Sequence, residues 1–369
     1  MNCEFFFYNS KAILSDSLLF LYNRKGIEGI LKYSRVCLRA VRRYFTTEHM
    51  LRLGRGAWRY VFVEFYALMF KYNARWDFDM PVRKVGVVGL GTMGQGIAQM
   101  LAFKGLDVFV TERTQEKLDY AISMIDHSLD KQMEKWALTQ AEKKLIMNKI
   151  HRTNSVAELS QCELVIETVT EDLEEKINVL RELDLHCSPD IIVASNTSTL
   201  SLTELAGATK YPERVIGLHF IHPVSKIDVV EIVRGLKTSE QTFEQTKHFL
   251  EETINKKGVM VFESPGFVTT RLICLHINEA LHVLEEGVAS AEDIDSAMRI
   301  GYSFQHGPFE MCDRFGLDAV VAALDNMFRE YGELKYRPSI VLKKMVRAGH
   351  LGVKTGIGFF KYDKNGDRI

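Results

Sequence analysis

The chain predicts an α/β fold. A Rossmann-like doubly wound parallel sheet spans residues 81–264, an all-helical domain follows over 265–369, and a basic, aromatic-rich extension with helical character precedes both at 1–80. Three observations predict it. Short apolar runs rich in Val and Ile alternate with helix-favouring segments throughout 82–262. The first of those runs ends in a glycine-rich turn, Gly89-Leu90-Gly91-Thr92-Met93-Gly94. After Ser264-Pro265-Gly266 the strand pattern stops and helical sequence continues to the end.

Lys84 to Glu112 reads as strand, tight turn, helix and strand. The three glycines do different things. The first makes the turn, the second lets backbone amides approach a pyrophosphate, and the third lets the helix pack closely on the strand. The N-terminus of the helix then offers free N–H groups, including those of Thr92 and Met93, to the phosphates. Glu112 stands 21 residues beyond Gly91 (112 − 91), at the end of the second strand. An acid there accepts both adenosine ribose hydroxyls and repels a 2′-phosphate, which favours NAD over NADP, although Arg113 next to it softens that preference.

A long helical region follows to about Asn148, its second helix opened by a capping box at Thr139 and Glu142. Ser128 and Lys135, seven residues apart, fall on one face of the first helix. Glu163 to Glu167 is a buried strand ending in an acid, and it leads through Thr170-Glu171-Asp172 to a helix bearing Lys176. Ile191 to Ala194 is a strand ending in Ser195-Asn196-Thr197-Ser198, small polar residues where open α/β sheets bind ligands. Ser201 and Glu204 open another helix, Arg214 to Leu218 forms a strand that delivers His219, and Asp228–Val233 and Gly258–Phe262 close the sheet. Beyond Pro265, Phe267 to Glu286 is apolar on nearly every face, as in a helix buried against a second subunit.

Composition narrows the function class. With 46% hydrophobic and 26% charged residues in 369, the chain is an ordinary globular protein with room for two or three domains. A formal charge of −1 gives no reason to expect nucleic acid as partner. That neutrality conceals an asymmetry: residues 1–80 carry 13 Lys and Arg against 7 Asp and Glu, or +6, which leaves −7 for the rest. The segment Leu31 to Phe45 suits an amphipathic helix, and residues 1–80 as a whole read as a helical arm on a neighbouring subunit, a poorly ordered extension, a product of an upstream start, a surface membrane helix or an Arg-rich targeting peptide. The six scattered cysteines have no metal-ligand spacing and suit reduced packing residues of a cytoplasmic protein, or of the mitochondrial matrix for a eukaryotic source. No apolar run reaches the roughly 18 residues of a membrane span.

His219 and Glu231 are the candidate chemical pair. On adjoining strands they become neighbours although twelve residues apart. A hydrogen bond from one imidazole nitrogen to a carboxylate fixes the tautomer, frees the other nitrogen as a base and stabilises the imidazolium. Taken alone, a His near a strand end is as well a packing residue.

The ordered set Gly89 to Gly94, Asn196-Thr197-Ser198, His219-Phe220-x-x-Pro223 with Glu231, Pro265-Gly266-Phe267, Gly307-Pro308-Phe309-Glu310, Gly316-Leu317-Asp318 and Lys354-Thr355-Gly356-x-Gly358-Phe359 resembles the 3-hydroxyacyl-CoA dehydrogenase family over about residues 82–362. The resemblance implies reversible, NAD-dependent oxidation of an (S)-3-hydroxyacyl-CoA, with 3-hydroxybutyryl-CoA the expected substrate, in a homodimer joined through the helical domain. It implies His219 as general base, Glu231 as its orienting carboxylate and Ser198 as donor to the reacting oxygen. It places Glu112, Glu171, Lys176 and Lys354 on the cofactor side and Ser128 and Lys135 against coenzyme A. No metal is implied.

Two residues depart from the family pattern. His222 stands three positions after the base, and Thr270 stands before the Arg of the PGFxxxR segment, where the family usually has Asn; both positions help hold substrate or cofactor. His222 competes with His219 for the role of base. Two alternatives therefore stay open: a dehydrogenase of a free 3-hydroxy acid, against which Ser128 and Lys135 argue, and a catalytically impaired NAD-binding scaffold, against which the intact pair argues.

Overall fold

The computed structural model describes residues 82–135, 137–364 and 366–369. The helical arm, membrane and targeting readings offered for residues 1–80 lie outside them. Eight strands form one sheet in the order β3-β2-β1-β4-β5-β6-β7-β8. They are β1 (Lys84–Val88), β2 (Asp107–Thr111), β3 (Ile150–Arg152), β4 (Leu164–Glu167), β5 (Ile192–Ser195), β6 (Val215–Phe220), β7 (Val229–Arg234) and β8 (Lys257–Phe262). The helices that wind between them are α1 (Thr92–Phe103), α2 (Gln115–Glu134), α3 (Gln140–Asn148), α4 (Leu173–His186), α5 (Leu202–Gly207) and α6 (Glu240–His248).

Both faces of the sheet are covered. Val85 and Val87 of β1 pack with Ile97, Leu101, Val108 and Ile166 on one side, while Val88 joins Val165, Leu180 and Val193 on the other. That alternation along the strand is what period-two pleating requires of a sheet buried on both faces. The order reverses between β1 and β4, so the glycine turn after β1 and the loops after β4 and β5 open at one topological switch point.

The sheet is mostly parallel, with one correction to the sequence expectation. β7 runs antiparallel to β6, and β8 is parallel to β7. Only residues 221–228 join β6 to β7, too few for the crossover that a parallel pair needs. The three-residue β3 is a strand the sequence pattern did not reveal; none of its residues is buried. The Thr139–Glu142 capping box forms as expected.

The helical part comprises α7 (Thr269–Glu285), α8 (Ala291–Gly301), α9 (Pro308–Phe315), α10 (Leu317–Tyr331) and α11 (Ile340–Arg347). Its core gathers Ile277, Leu281, Phe309, Leu324, Met327 and Tyr336. In helix α7 Ile277 and Leu281 are fully buried, while Leu272 is 64% exposed in the single chain. Arg271 lies over the Tyr331 ring at 4.6 Å and donates to the Tyr331 hydroxyl, which also meets Ser264, so the segment between the two parts is clamped by one aromatic cluster. Among the described residues no helix is long and apolar enough to cross a membrane.

Candidate active site

The three glycines occupy three distinct environments. Gly89 has φ +87°, a conformation that L side chains rarely adopt. Gly91 has nothing within 4 Å of where a Cβ would stand, so the space before the α1 N-terminus is open. A Cβ on Gly94 would meet the Gly89 carbonyl oxygen at 2.0 Å and Thr168 Oγ1 at 2.6 Å. Helix α1 starts at Thr92 with no side-chain cap and no acid in its first turn, so its first amides are left for an anion. This cradle fits a dinucleotide pyrophosphate. Glu112 accepts from the Leu90 and Arg113 amides beside the turn. Arg113 pairs with Glu175 at 2.9 Å on the surface beside it.

Below the turn lies a polar cluster that the sequence only hinted at. Lys176 and Glu167 are almost wholly buried and pair at 2.9 Å; Lys176 also reaches Glu171 at 3.5 Å. Glu167 accepts from Ser195 Oγ and from the Val169 amide. Burial pushes its carboxyl above the ordinary range despite Lys176. Burial acts on Glu171 in the same sense, but Lys176 and the donors of the 197–199 loop outweigh it and hold Glu171 low. Those donors are the hydroxyls of Thr197, Ser198 and Thr199 and the amides of Ser198 and Thr199, all directed at one Glu171 oxygen. Ser198 is thereby fixed, with its hydroxyl 3.1 Å from that oxygen. Asn196 accepts from the Phe220 amide and so joins this loop to the end of β6. Asn326 of α10 donates to Thr199 from the helical side.

His219 lies within β6, not after it as the sequence suggested, and Glu231 lies directly across on β7. The antiparallel turn of β7 is what makes them direct cross-strand partners. His219 Nδ1 and Glu231 Oε2 are 2.6 Å apart, with the imidazole 11% and the carboxylate 1% exposed. Burial would raise Glu231, but the His219 hydrogen bond and charge, followed by Thr269, hold it below the ordinary range. Nδ1 is thus the bonded nitrogen, and Nε2 is left for chemistry. The Phe267 ring, 5.7 Å away, meets the imidazole edge-on. Phe267 itself sits at φ +49°, a conformation costly for a bulky residue and held here by burial.

The other predicted residues are spread more widely. Ser128 is half-buried on α2, and Lys135 is the exposed C-cap of that helix, one residue past its end. Both hydrogen bonds of Lys354 run to Asp318, which brings two of the sequence motifs together in the helical part. His222 lies on the loop after β6 and is open to solvent by area. The chain around it still removes enough water, with Arg314 adding to the effect, to hold its imidazole below the ordinary histidine range. Among the described residues no carboxylate hydrogen-bonds to His222, so it lacks the orienting partner that His219 has. Thr270 is half-buried in the first turn of α7, and its neighbour Thr269, which the sequence did not single out, reaches Glu231. Glu167 was legible as an acid ending a strand, whereas nothing local marked Thr269.

Known proteins are similar to this chain over both the sheet and the helical part. Residues 84–264 match the 3-hydroxyacyl-CoA dehydrogenase NAD-binding domain and residues 266–362 the C-terminal domain of the same family. A 3-hydroxybutyryl-CoA dehydrogenase of Clostridioides difficile is 43% identical over 281 residues, 76% of this chain and 100% of that one. The mitochondrial hydroxyacyl-coenzyme A dehydrogenase of Rattus norvegicus is 36% identical over 76% of this chain and 91% of its own. The crystal structure of (S)-3-hydroxybutyryl-CoA dehydrogenase PaaH1 from Ralstonia eutropha superposes with a TM-score of 0.71 at 39% identity, covering 77% of this chain and 100% of that chain. With both domains matched in sequence and in fold, the chain belongs to the 3-hydroxyacyl-CoA dehydrogenase family.

Proposed function

We propose that this protein reversibly oxidises (S)-3-hydroxyacyl-CoA thioesters, with 3-hydroxybutyryl-CoA as the substrate, using NAD in preference to NADP. The observation that carries the reading is the 2.6 Å contact between His219 Nδ1 and Glu231 Oε2. It leaves Nε2 as the acceptor of the substrate hydroxyl proton, and the imidazolium so formed faces a carboxylate already in place. A positioned base of this kind contributes about 10²–10⁴ in rate. When bound, NAD supplies the hydride acceptor. Gly89, Gly91, Thr92, Met93 and Gly94 receive its pyrophosphate, and Glu112 receives the adenosine ribose by exchanging the Leu90 amide for the sugar hydroxyls. Ser198 donates to the reacting oxygen by turning its one hydroxyl proton away from Glu171, its amide keeping the bond to that carboxylate, while Glu171 and Lys176 act on the cleft through the loop they hold. Lys354 completes the cofactor side. Ser128 and Lys135 meet coenzyme A, and His222 and Thr270 take the places at which the family holds substrate or cofactor. Two copies associate through the helical part, to which the exposed Leu272 of α7 contributes.

The test follows NADH consumption with acetoacetyl-CoA and then with free acetoacetate. Turnover of the thioester alone supports the proposal, turnover of the free acid moves the substrate class, and NADH binding without turnover of either leaves a scaffold. His219→Gln is expected to abolish turnover and keep NADH affinity; a variant with the wild-type rate overturns the assignment of the base.

A further inference from the structure

Glu231 has more partners than orienting one imidazole requires. Its Oε1 accepts the amides of Val268 at 3.1 Å and Thr269 at 2.9 Å, so it closes the N-terminus of α7, whose N-cap Val268 has no capping side chain. Its Oε2 accepts His219 Nδ1 at 2.6 Å and the Thr269 hydroxyl at 2.8 Å. The two amides already cap the helix. The hydroxyl goes to the other oxygen, the one the imidazole uses.

We infer that Thr269 is a positioning residue for the base, its hydroxyl sharing Glu231 Oε2 with His219 and so setting how strongly the carboxylate draws on the imidazolium. The inference rests on the proposed dehydrogenase reading for its kinetic consequence alone. Two donors on one carboxylate oxygen divide its lone-pair density, and hydrogen bonds to a charged acceptor are among the stronger ones in proteins. With the hydroxyl removed, Oε2 serves His219 alone, the protonated ring is better stabilised, and the base is taken out of action at a higher pH. The sign is therefore fixed: the low-pH limb of hydroxyl oxidation moves upward. β6 contributes His219 and β7 contributes Glu231 to this contact, while α7 contributes Thr269 and two amides. No other ionisable side chain among the described residues hydrogen-bonds to either member, and the nearby Ser198 loop is held by Glu171.

The hydroxyl also crosses between the two parts of the fold, from the first turn of α7 to a strand of the sheet.

The experiment uses the full chain as wild type, Thr269→Val, Thr269→Ala and Thr269→Ser. In kcat/KM against pH for 3-hydroxybutyryl-CoA with saturating NAD, T269V and T269A are expected to raise the limb by about half a unit, a roughly threefold loss below it. T269S is expected to keep the wild-type limb. A limb that stays or falls in T269V and T269A, or one that moves equally in T269S, overturns the inference. The second readout needs no turnover: the downfield Nδ1 proton of His219, identified by its loss in H219Q, is expected further downfield in T269V and T269A and unmoved in T269S. An unmoved proton in T269V and T269A overturns the inference even if the enzyme proves to act on another substrate, and failure of the wild type to turn over any thioester counts against the function alone. T269A serves the same test should T269V fail to fold.

Discussion

Alanine at Gly94 and alanine at Gly91 should fail for different reasons, and the pair separates folding from cofactor binding. At Gly94 the new Cβ stands 2.0 Å from the Gly89 carbonyl oxygen, where ordinary contact begins at 3.4 Å, so α1 must retreat from the turn by about 1.4 Å (3.4 − 2.0). The obstructing atom is backbone and cannot rotate away. Overpacking of this kind costs about 2 kcal/mol, which lowers the melting temperature of a chain of 369 residues by roughly 3 °C. The retreat also withdraws the α1 amides from their ligand. At Gly91 the Cβ meets nothing within 4 Å and φ is −66°, so the fold accepts the methyl group. The group then occupies the space in front of the helix N-terminus, and NADH affinity is expected to fall roughly tenfold, about 1.4 kcal/mol, at unchanged melting temperature. Circular dichroism melts and NADH fluorescence titrations on both variants decide it. A G94A protein that melts and binds like the wild type, or a G91A protein destabilised as much as G94A, refutes the assignment of these glycines.

Two further predictions concern buried charge. Lys176→Met leaves the Glu167 carboxylate buried without its cation and should cost about 3 kcal/mol at neutral pH. The loss should shrink as pH falls, because Glu167, already above its ordinary range, then takes up a proton; adding Glu167→Gln should restore most of the stability, and a K176M protein that melts like wild type at pH 8 refutes the pairing. Asp313 is raised from 3.8 to about 6 by burial, against the Phe359 and Phe360 amides and the Tyr362 hydroxyl. Its native value lies above its unfolded one, so ionisation opposes folding and stability falls as pH rises from about 4 to about 6, by at most about 3 kcal/mol. Asp313→Asn should remove that slope from urea melts taken across this range, and an unchanged slope refutes it.

The features legible in the sequence were those whose signal is local. The glycine turn announced itself because three glycines, a strand and a helix must follow one another in the chain, and the structure gives each glycine the environment its position implied. The strand β3 escaped notice because three half-covered or exposed residues leave no apolar run. The apolar faces of α7 suggested burial against a second subunit, yet periodicity cannot say which faces a single chain covers, and Leu272 is one it does not. The direction of β7 was recoverable and was missed: a link over 221–228 is long enough for a loop and too short for a crossover helix. That one reversal has the largest consequence for chemistry. It sets His219 against Glu231 in register, and it leaves the second carboxylate oxygen facing the start of α7, where the Val268 and Thr269 amides receive it. A single buried charge thus acts both as the cap of a helix and as the partner of the base. Neutralising it by Glu231→Gln should therefore damage more than the proton transfer, because the helix terminus loses its anion and His219 its anchor in the same step.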